Sequence, residues 1–386
     1  MTISLPPGFA AHTGQIGLRA DGPDFVVVAA DSPVPAAAVY TKSRFAGPSV
    51  VLSRANTSDR QAQAVVVVAK NANVATGPEG AANAAEVVDR VAAALGARPD
   101  DIVMTSTGVI GRQYPMDLLR RYLDGFAAPL TGTDATAVAA AMMTTDTHPK
   151  VAEAVVAGSE ARVVGVAKGV GMIEPDMATM LTFLFTDAEV APADLDAVFR
   201  RVVDRTFNCL SVDTDTSTSD TAAILANGRA GPVDLAAFEA AVDSVALDLT
   251  RQIAADGEGA ETLLVVIVTG ARDDAQAKLV AKAIVNSPLV KTAVHGADPN
   301  WGRVAMAIGK CSDETDIDED RVTIRFGEQE VYPASVDDAG LAALERYMAG
   351  PEVLIAADLG IAGGSCTVYG CDLTDGYVRI NADYTT

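Results

Sequence analysis

The stretch Lys168–Leu181 reads KGVGMIEPDMATML. Two glycines, a proline and an acid give way abruptly to an apolar run that continues through Leu181–Phe185. A loop entering a buried strand accounts for this pattern, with Thr179 as an ordinary β-branched strand residue. A chemical reading stands beside it. If the chain were cut before Thr179, the new N-terminal threonine would carry its own base. An α-amine with a pKa near ~8 is partly neutral at working pH and can take the hydroxyl proton directly or through water.

The chain is poor in other catalytic equipment. It has 3 histidines, His12, His148 and His295, and no G-x-S-x-G elbow to pair with them. Each reads as a surface or hydrogen-bonded residue. HExxH, Walker A and G-x-G-x-x-G are missing. The strip Gly360–Ser365, GIAGGS, lacks a strand–turn–helix frame and reads as a loop. The four cysteines, Cys209, Cys311, Cys366 and Cys371, form no CxxC pair and no metal-ligand spacing with the histidines. Free thiols, no metal and no organic cofactor are expected.

Outward from Lys168, short β-branched runs mix with longer amphipathic stretches. The strand expectations are Phe25–Ala30, Ala64–Ala69, Ile102–Thr105, Arg162–Ala167, Leu181–Phe185, Leu263–Thr269, Arg321–Phe326, Val353–Ala357 and Thr367–Asp372. The helix expectations are Asn83–Leu95, Pro115–Phe126, Ala135–Met143, Pro192–Phe207, Leu235–Ala255, Asp274–Val285 and Leu341–Met348. Strands do not alternate strictly with helices, which argues for an α+β fold of layered sheets over a doubly wound parallel sheet. The polar segment Asp213–Asp220, DTDTSTSD, reads as a turn or a helix start.

The 386 residues are 49% hydrophobic, enough for a large core in one large or two medium domains. A formal charge of −22 repels a phosphate backbone, so no nucleic-acid partner is expected. It leaves room for a locally basic pocket. The start MTISLPPGFAAHTG does not read as a signal peptide, and the apolar strip Leu263–Val268 is too short to span a bilayer. A soluble cytoplasmic protein is the expectation.

Two further segments could carry chemistry. Ser106–Gly111, STGVIG, follows a strand, and a Thr-Gly there can aim a hydroxyl and a backbone N–H at one point. Such donors stabilise an oxyanion by ~3 kcal/mol each. A simple turn explains the same letters. Met143–Lys150, MTTDTHPK, offers hydroxyls, an acid and a lysine that could bind a carboxylate, or it closes a helix at His148-Pro149.

These segments, with DTDTSTSDT at Asp213–Thr221, DGEGA at Asp256–Ala260, HGADPNWGRVAMAIGK at His295–Lys310 and YVRINADYTT at Tyr377–Thr386, resemble the ornithine acetyltransferase (glutamate N-acetyltransferase) family in order along essentially the whole chain. The resemblance implies α/β/β/α layers like those of N-terminal-nucleophile hydrolases but wired differently. It implies self-cleavage between Ala178 and Thr179 into an α chain (1–178) and a β chain (179–386), intertwined in one fold and assembled as an α2β2 heterotetramer or larger. It implies ping-pong transfer of acetyl from N-acetylornithine through Thr179 to glutamate, giving ornithine and N-acetylglutamate.

Residue by residue, Thr179 matches the nucleophile, and Thr107 and Gly108 the oxyanion pair. Lys168 and Thr144 match substrate-binding positions, with Thr145 also open. Glu258 matches the acid for the substrate ammonium. Asn381 and Thr386 match the C-terminal residues that close over the substrate.

Most family members read close to NSGNANACTG where this chain has KNANVATG (Lys70–Gly77), VDGDTSTND at Val212–Asp220 and LPM at Gln113–Met116. The variants here resemble paralogues found with clavulanic-acid-type biosynthesis genes and point away from acetyl-CoA as a donor. Two other readings stand: an amidohydrolase or aminopeptidase using the same threonine, and an uncleaved, non-catalytic binding protein.

Overall fold

The computed structural model describes residues 3–174 and 180–383. Ala178, Thr179 and Thr386 lie outside the described residues. The chain divides into two compact units, the first from the described residues of Met1–Gly169, Pro175–Asn208 and Thr216–Leu249, the second from Val170–Glu174, Cys209–Asp215 and Thr250–Thr386. Each unit draws on chain from both sides of position 178.

The first unit holds strands β1 (Phe9–Gly14), β2 (Phe25–Tyr40), β3 (Gln61–Val68), β4 (Ile102–Ser106), β5 (Lys150–Val155), β6 (Arg162–Lys168), β7 (Leu181–Glu189) and β8 (Thr221–Pro232). They form one sheet in the order β4-β3-β2-β8-β7-β6-β5, with β1 also paired to β2. The β3–β4 and β7–β8 pairs are parallel; the other pairs in this sheet are antiparallel. Its helices are α1 (Pro48–Asn56), α2 (Gly77–Leu95), α3 (Met116–Leu123), α4 (Ala135–Met142), α5 (Pro192–Arg205) and α6 (Leu235–Ala255) as far as Leu249.

Helices cover the sheet on both faces. Phe25, Val27, Val66 and Val68 share a core with α2 and α3. Val26, Val28, Val65, Val164, Phe183 and Phe185 share another with α4. Buried on both faces, β7 is concealed from Leu181 to Ala188, which is why Leu181–Phe185 is apolar at every position but Thr182.

The second unit holds β9 (Leu263–Ala271), β10 (Thr323–Phe326), β11 (Gln329–Tyr332), β12 (Glu352–Asp358) and β13 (Gly364–Cys371) in the order β11-β10-β12-β9-β13. Helices α7 (Asp274–Val285), α8 (Pro288–His295), α9 (Trp301–Gly309) and α10 (Asp338–Met348) join one core with Leu264, Val266 and Val268 of β9. Helix α11 (Asp375–Asp383) follows β13.

The fold is α+β, as the mixed order of elements implies. Every expected strand and helix is present; Leu235–Ala255 and Asp274–Val285 keep their expected ends and the others shift. The strand expected to stop at Ala30 runs to Tyr40, because β2 changes partner there. Pro35 opposes Gln61 at the end of the β3 ladder, and Ala36 to Tyr40 then pair with β8. The strand expected from Arg321 starts at Thr323, since Glu319–Arg321 forms a 3-10 turn. No helix begins within Asp213–Asp220; the segment is a turn leading into β8. Glycine strip 360–365 is a loop only to Gly363, because Gly364 opens β13.

The elements not foreseen, β1, β5, β8, β11, α1, α8, α9 and α11, are short, alanine-rich or alternating. Among the described residues no helix is long and apolar enough to cross a membrane. All four cysteines are free thiols.

At Gly165 on β6, side chains of α6 pack directly against the sheet. A Cβ there would lie 2.7 Å from Leu249 Cδ1 and 2.7 Å from Val245 Cγ1. Gly165→Val is therefore expected to destabilise the protein by about 1–3 kcal/mol through overpacking. Urea unfolding should show a lower midpoint at an unchanged slope.

Candidate active site

Strand β4 delivers Thr107 and Gly108 past its last residue. The Thr107 N–H donates to Val68 C=O at 3.1 Å, extending the β3–β4 ladder by one rung, and Val109 N–H donates to Lys70 C=O at 3.4 Å. Between them, the Gly108 N–H has no protein acceptor among the described residues. Gly108 has φ +132°, and a Cβ on it would sit 2.2 Å from the Lys70 carbonyl carbon. Only glycine lets the chain turn this close to the Lys70 peptide. The result is a half-buried pair of donors, Thr107 Oγ1 and Gly108 N–H, at the end of the sheet.

Lys168, the last residue of β6, reaches the same place. Its Nζ donates to Thr107 Oγ1 at 3.3 Å, and the residue is 8% exposed. Lys168 pairs across the ladder with Leu181, the first residue of β7. The strand beginning two residues after Thr179 thus starts level with the Lys168–Thr107 contact.

The segment after α4 completes this cluster. Asp146 is buried; its Oδ1 accepts from Lys150 Nζ at 2.8 Å and from Gly169 N–H at 2.7 Å, and its Oδ2 from Thr144 N–H at 2.9 Å. Burial by itself would raise the Asp146 carboxyl. The charges of Lys168 and Lys150, with the Lys150 and Thr144 hydrogen bonds, outweigh it and hold the group well below the usual carboxylate range. Lys70 Nζ donates to Thr144 C=O, and an Arg19 guanidinium N–H donates to Met143 C=O. Burial, then Arg19 and Lys168, push the Lys70 ammonium below its ordinary value. Lys70, Lys168 and Arg19 make this corner cationic in a chain of charge −22.

Of the lysines, the sequence singled out Lys168 and the Lys150 of MTTDTHPK. Lys150 proves fully buried against Asp146, so it neutralises that acid and presents no charge to solvent. Lys70 and Arg19 were missed. Lys70 carried a faint signal as the first residue of the divergent KNANVATG segment, and it has φ +74°.

In the second unit, Asn381 Nδ2 donates to Glu258 Oε2 at 2.9 Å and to Tyr377 C=O at 3.1 Å. Glu258 N–H donates to Val170 C=O at 2.8 Å. A Cβ on Gly171 would meet Glu258 Oε2 at 2.5 Å, so the second glycine of KGVG makes room for this carboxylate. Tyr377 Oη bonds to Asp213 Oδ2 at 3.4 Å. Burial, with the charges of Asp213 and Glu258, pushes its phenol up to about 12.

Each histidine has a hydrogen bond: His12 with Tyr122 Oη at 2.5 Å, His148 with Thr147 Oγ1 at 2.9 Å and His295 with Asp372 Oδ2 at 3.2 Å. His295 and Asp372 with Glu261 place their ligand atoms within 4.8 Å of one another, an arrangement able to hold a divalent cation. A cleft of about 960 Å³ in the first unit contains none of the candidate residues. Its Arg60 and Arg200 are already engaged with Asp196, at 3.6 and 2.9 Å.

The sequence pattern of the ArgJ family matches residues 10–386. Glutamate N-acetyltransferase Oat2 of Streptomyces clavuligerus is 59% identical over 391 aligned positions, covering 100% of this chain and 99% of that protein. The arginine biosynthesis bifunctional protein ArgJ of Rhodococcoides fascians is 54% identical, covering 100% and 96%. The crystal structure of the protein of that name from Bacillus halodurans is 39% identical, covers 53% of this chain and 100% of its own, and superposes with a TM-score of 0.50. The chain belongs to the ArgJ family and is an acyltransferase.

Asp146→Asn is expected to destabilise the protein by about 3–5 kcal/mol at pH 7, because Lys150 is left buried and uncompensated. The folded carboxyl titrates below the unfolded one, so its contribution is complete above roughly pH 4 and is lost as pH falls through the folded value. Denaturant unfolding of both proteins from pH 7 to pH 3 should show the difference shrinking only at the acid end.

Proposed function

We propose that the protein transfers the acetyl group of N2-acetyl-L-ornithine to L-glutamate by a ping-pong route through an acetyl-threonine on Thr179, after cutting itself between Ala178 and Thr179. The observation that carries this reading is the Lys168–Thr107 contact at the sheet end level with the start of β7. Full-length relatives named for glutamate N-acetylation and arginine biosynthesis support the same chemistry.

In maturation the Thr179 hydroxyl attacks the Ala178 carbonyl, and hydrolysis of the ester frees the α-amine. The same hydroxyl then attacks the acetyl carbonyl of N-acetylornithine. Ornithine leaves and glutamate accepts the acetyl group as N-acetylglutamate. Thr107 Oγ1 and Gly108 N–H are the oxyanion donors, each supplying ~3 kcal/mol in the tetrahedral states. Lys168 and Thr144, in the cationic corner with Lys70 and Arg19, suit the α-carboxylate that both substrates share. Glu258, bonded to Asn381, takes the side-chain ammonium that ornithine has and glutamate lacks, and Thr386 closes over the substrate. The threonine carries the acyl group, so the route needs no cofactor. The working form is an α2β2 heterotetramer or larger in the cytoplasm, serving arginine or clavulanic-acid-type biosynthesis without acetyl-CoA as donor.

A denaturing gel of the purified protein should show pieces of about 18 and about 21 kDa from the 39.7 kDa chain, and Thr179→Ala should stay intact and inactive. Incubation with N-acetylornithine alone should add about 42 Da to the larger piece, the mass of one acetyl group replacing a proton on the nucleophile. Acetate release independent of glutamate would replace the transferase by a hydrolase. A single intact wild-type band would leave only a binding protein. Lys168→Met should raise KM for both amino-acid substrates by roughly tenfold or more, the loss of one charge-assisted hydrogen bond.

A further inference from the structure

Asp220 closes the DTDTSTSD segment and stands immediately before β8. Its side chain is buried, and among the described residues its Oδ2 has no hydrogen-bond partner. A buried carboxyl oxygen left this way is costly and calls for a reason. Burial raises the group well above the ordinary carboxylate value, and a hydrogen bond with Ser217 and the charge of Lys168 only partly oppose it. Burial thus favours the protonated form of Asp220, and one of its oxygens is uncommitted among the described residues.

Backbone bonds fix where it stands. Thr221 N–H donates to Met180 C=O at 3.0 Å, and Thr221 pairs with Leu181 on the parallel ladder. Thr41 N–H donates to Asp220 C=O at 3.0 Å, and Thr41 Oγ1 donates to Ser217 C=O at 2.7 Å. The Asp220–Thr221 peptide is therefore held against Met180, the residue joined to Thr179. None of the roles assigned above uses this acid.

We propose that Asp220 is the proton carrier of self-cleavage, delivering to the Thr179 nitrogen a proton that the Thr179 hydroxyl replaces. The inference rests on the proposed cut before Thr179. As Oγ bonds to the Ala178 carbonyl carbon, the C–N bond breaks and its electron pair stays on nitrogen. The Asp220 carboxyl gives its proton to that nitrogen, and the resulting carboxylate takes the Oγ proton. The products are an ester and a free amine, with Asp220 protonated again. Water then hydrolyses the ester: its oxygen bonds to the carbonyl carbon, the C–Oγ bond breaks and Oγ regains a proton from that water.

The test follows maturation of wild type, Asp220→Asn and Thr179→Ala on denaturing gels after synthesis, with and without hydroxylamine, which cuts esters. Asp220→Asn keeps the shape but cannot carry the proton. It should mature about 100-fold more slowly or worse, the span of general acid–base catalysis, and hydroxylamine should not release the two pieces. Maturation at the wild-type rate, or hydroxylamine cleavage before Thr179, would overturn the assignment while leaving the nucleophile standing. Cleavage of Thr179→Ala would instead remove the underlying reading. If Asp220→Asn does not fold, Ser217→Ala decides: cleavage slowed several-fold supports the role, and the wild-type rate overturns it.

Discussion

The pairing of one residue on both sides orders this protein around its candidate chemistry. Leu181 opposes Lys168 on β6 and Thr221 on β8. Three segments far apart in the sequence thereby start or end at one level of the sheet. Strand β7 is hydrogen-bonded along both edges and buried on both faces, so its start cannot slide without moving every side chain of the strand to the wrong face. Lys168 and Asp220 inherit their positions from that register, and Thr107 takes its own from the β3–β4 ladder. A chain break before residue 179 would leave these ladders untouched, because the first paired residue of β7 comes after it.

Electrostatics at this sheet end runs against the character of the whole chain. A net charge of −22 disfavours anions at long range, yet Lys70, Lys168 and Arg19 gather around the Thr144 segment. Asp146 makes the gathering tolerable. It sits buried among lysines, accepts hydrogen bonds from Lys150, Gly169 and Thr144, and spends its charge on Lys150 and Lys168. A buried charge held by several donors costs far less than an isolated one. The corner is therefore cationic without stranding a lysine in a dry interior.

Two glycines of the quoted segments act through space they leave open. At Gly108 the backbone approaches Lys70 where no side chain fits, and the turn exposes one N–H beside one hydroxyl. At Gly171 the missing Cβ is where the Glu258 carboxylate lies. In both cases sequence shows only a glycine in a loop, and the neighbour that requires it is tens of residues away.

By itself the sequence determined the α+β class, the long apolar strands and amphipathic helices, and the family, because hydrophobic periodicity and ordered motifs are local records. Through those motifs it singled out Thr107, Gly108, Lys168, Glu258 and Asn381 as candidates. It did not foresee β8, whose alanine-rich run has weak strand preference and forms because β7 and β2 flank it. Nor did it reveal Lys70 or Arg19, the part Asp220 could play, or that Asp146 is a buried counter-ion, since the field at a site is a sum over groups brought together by long-range pairing. Only the tertiary structure decided that Lys150 is a buried counter-ion, and that Thr221, the residue after Asp220, donates to the Met180 carbonyl.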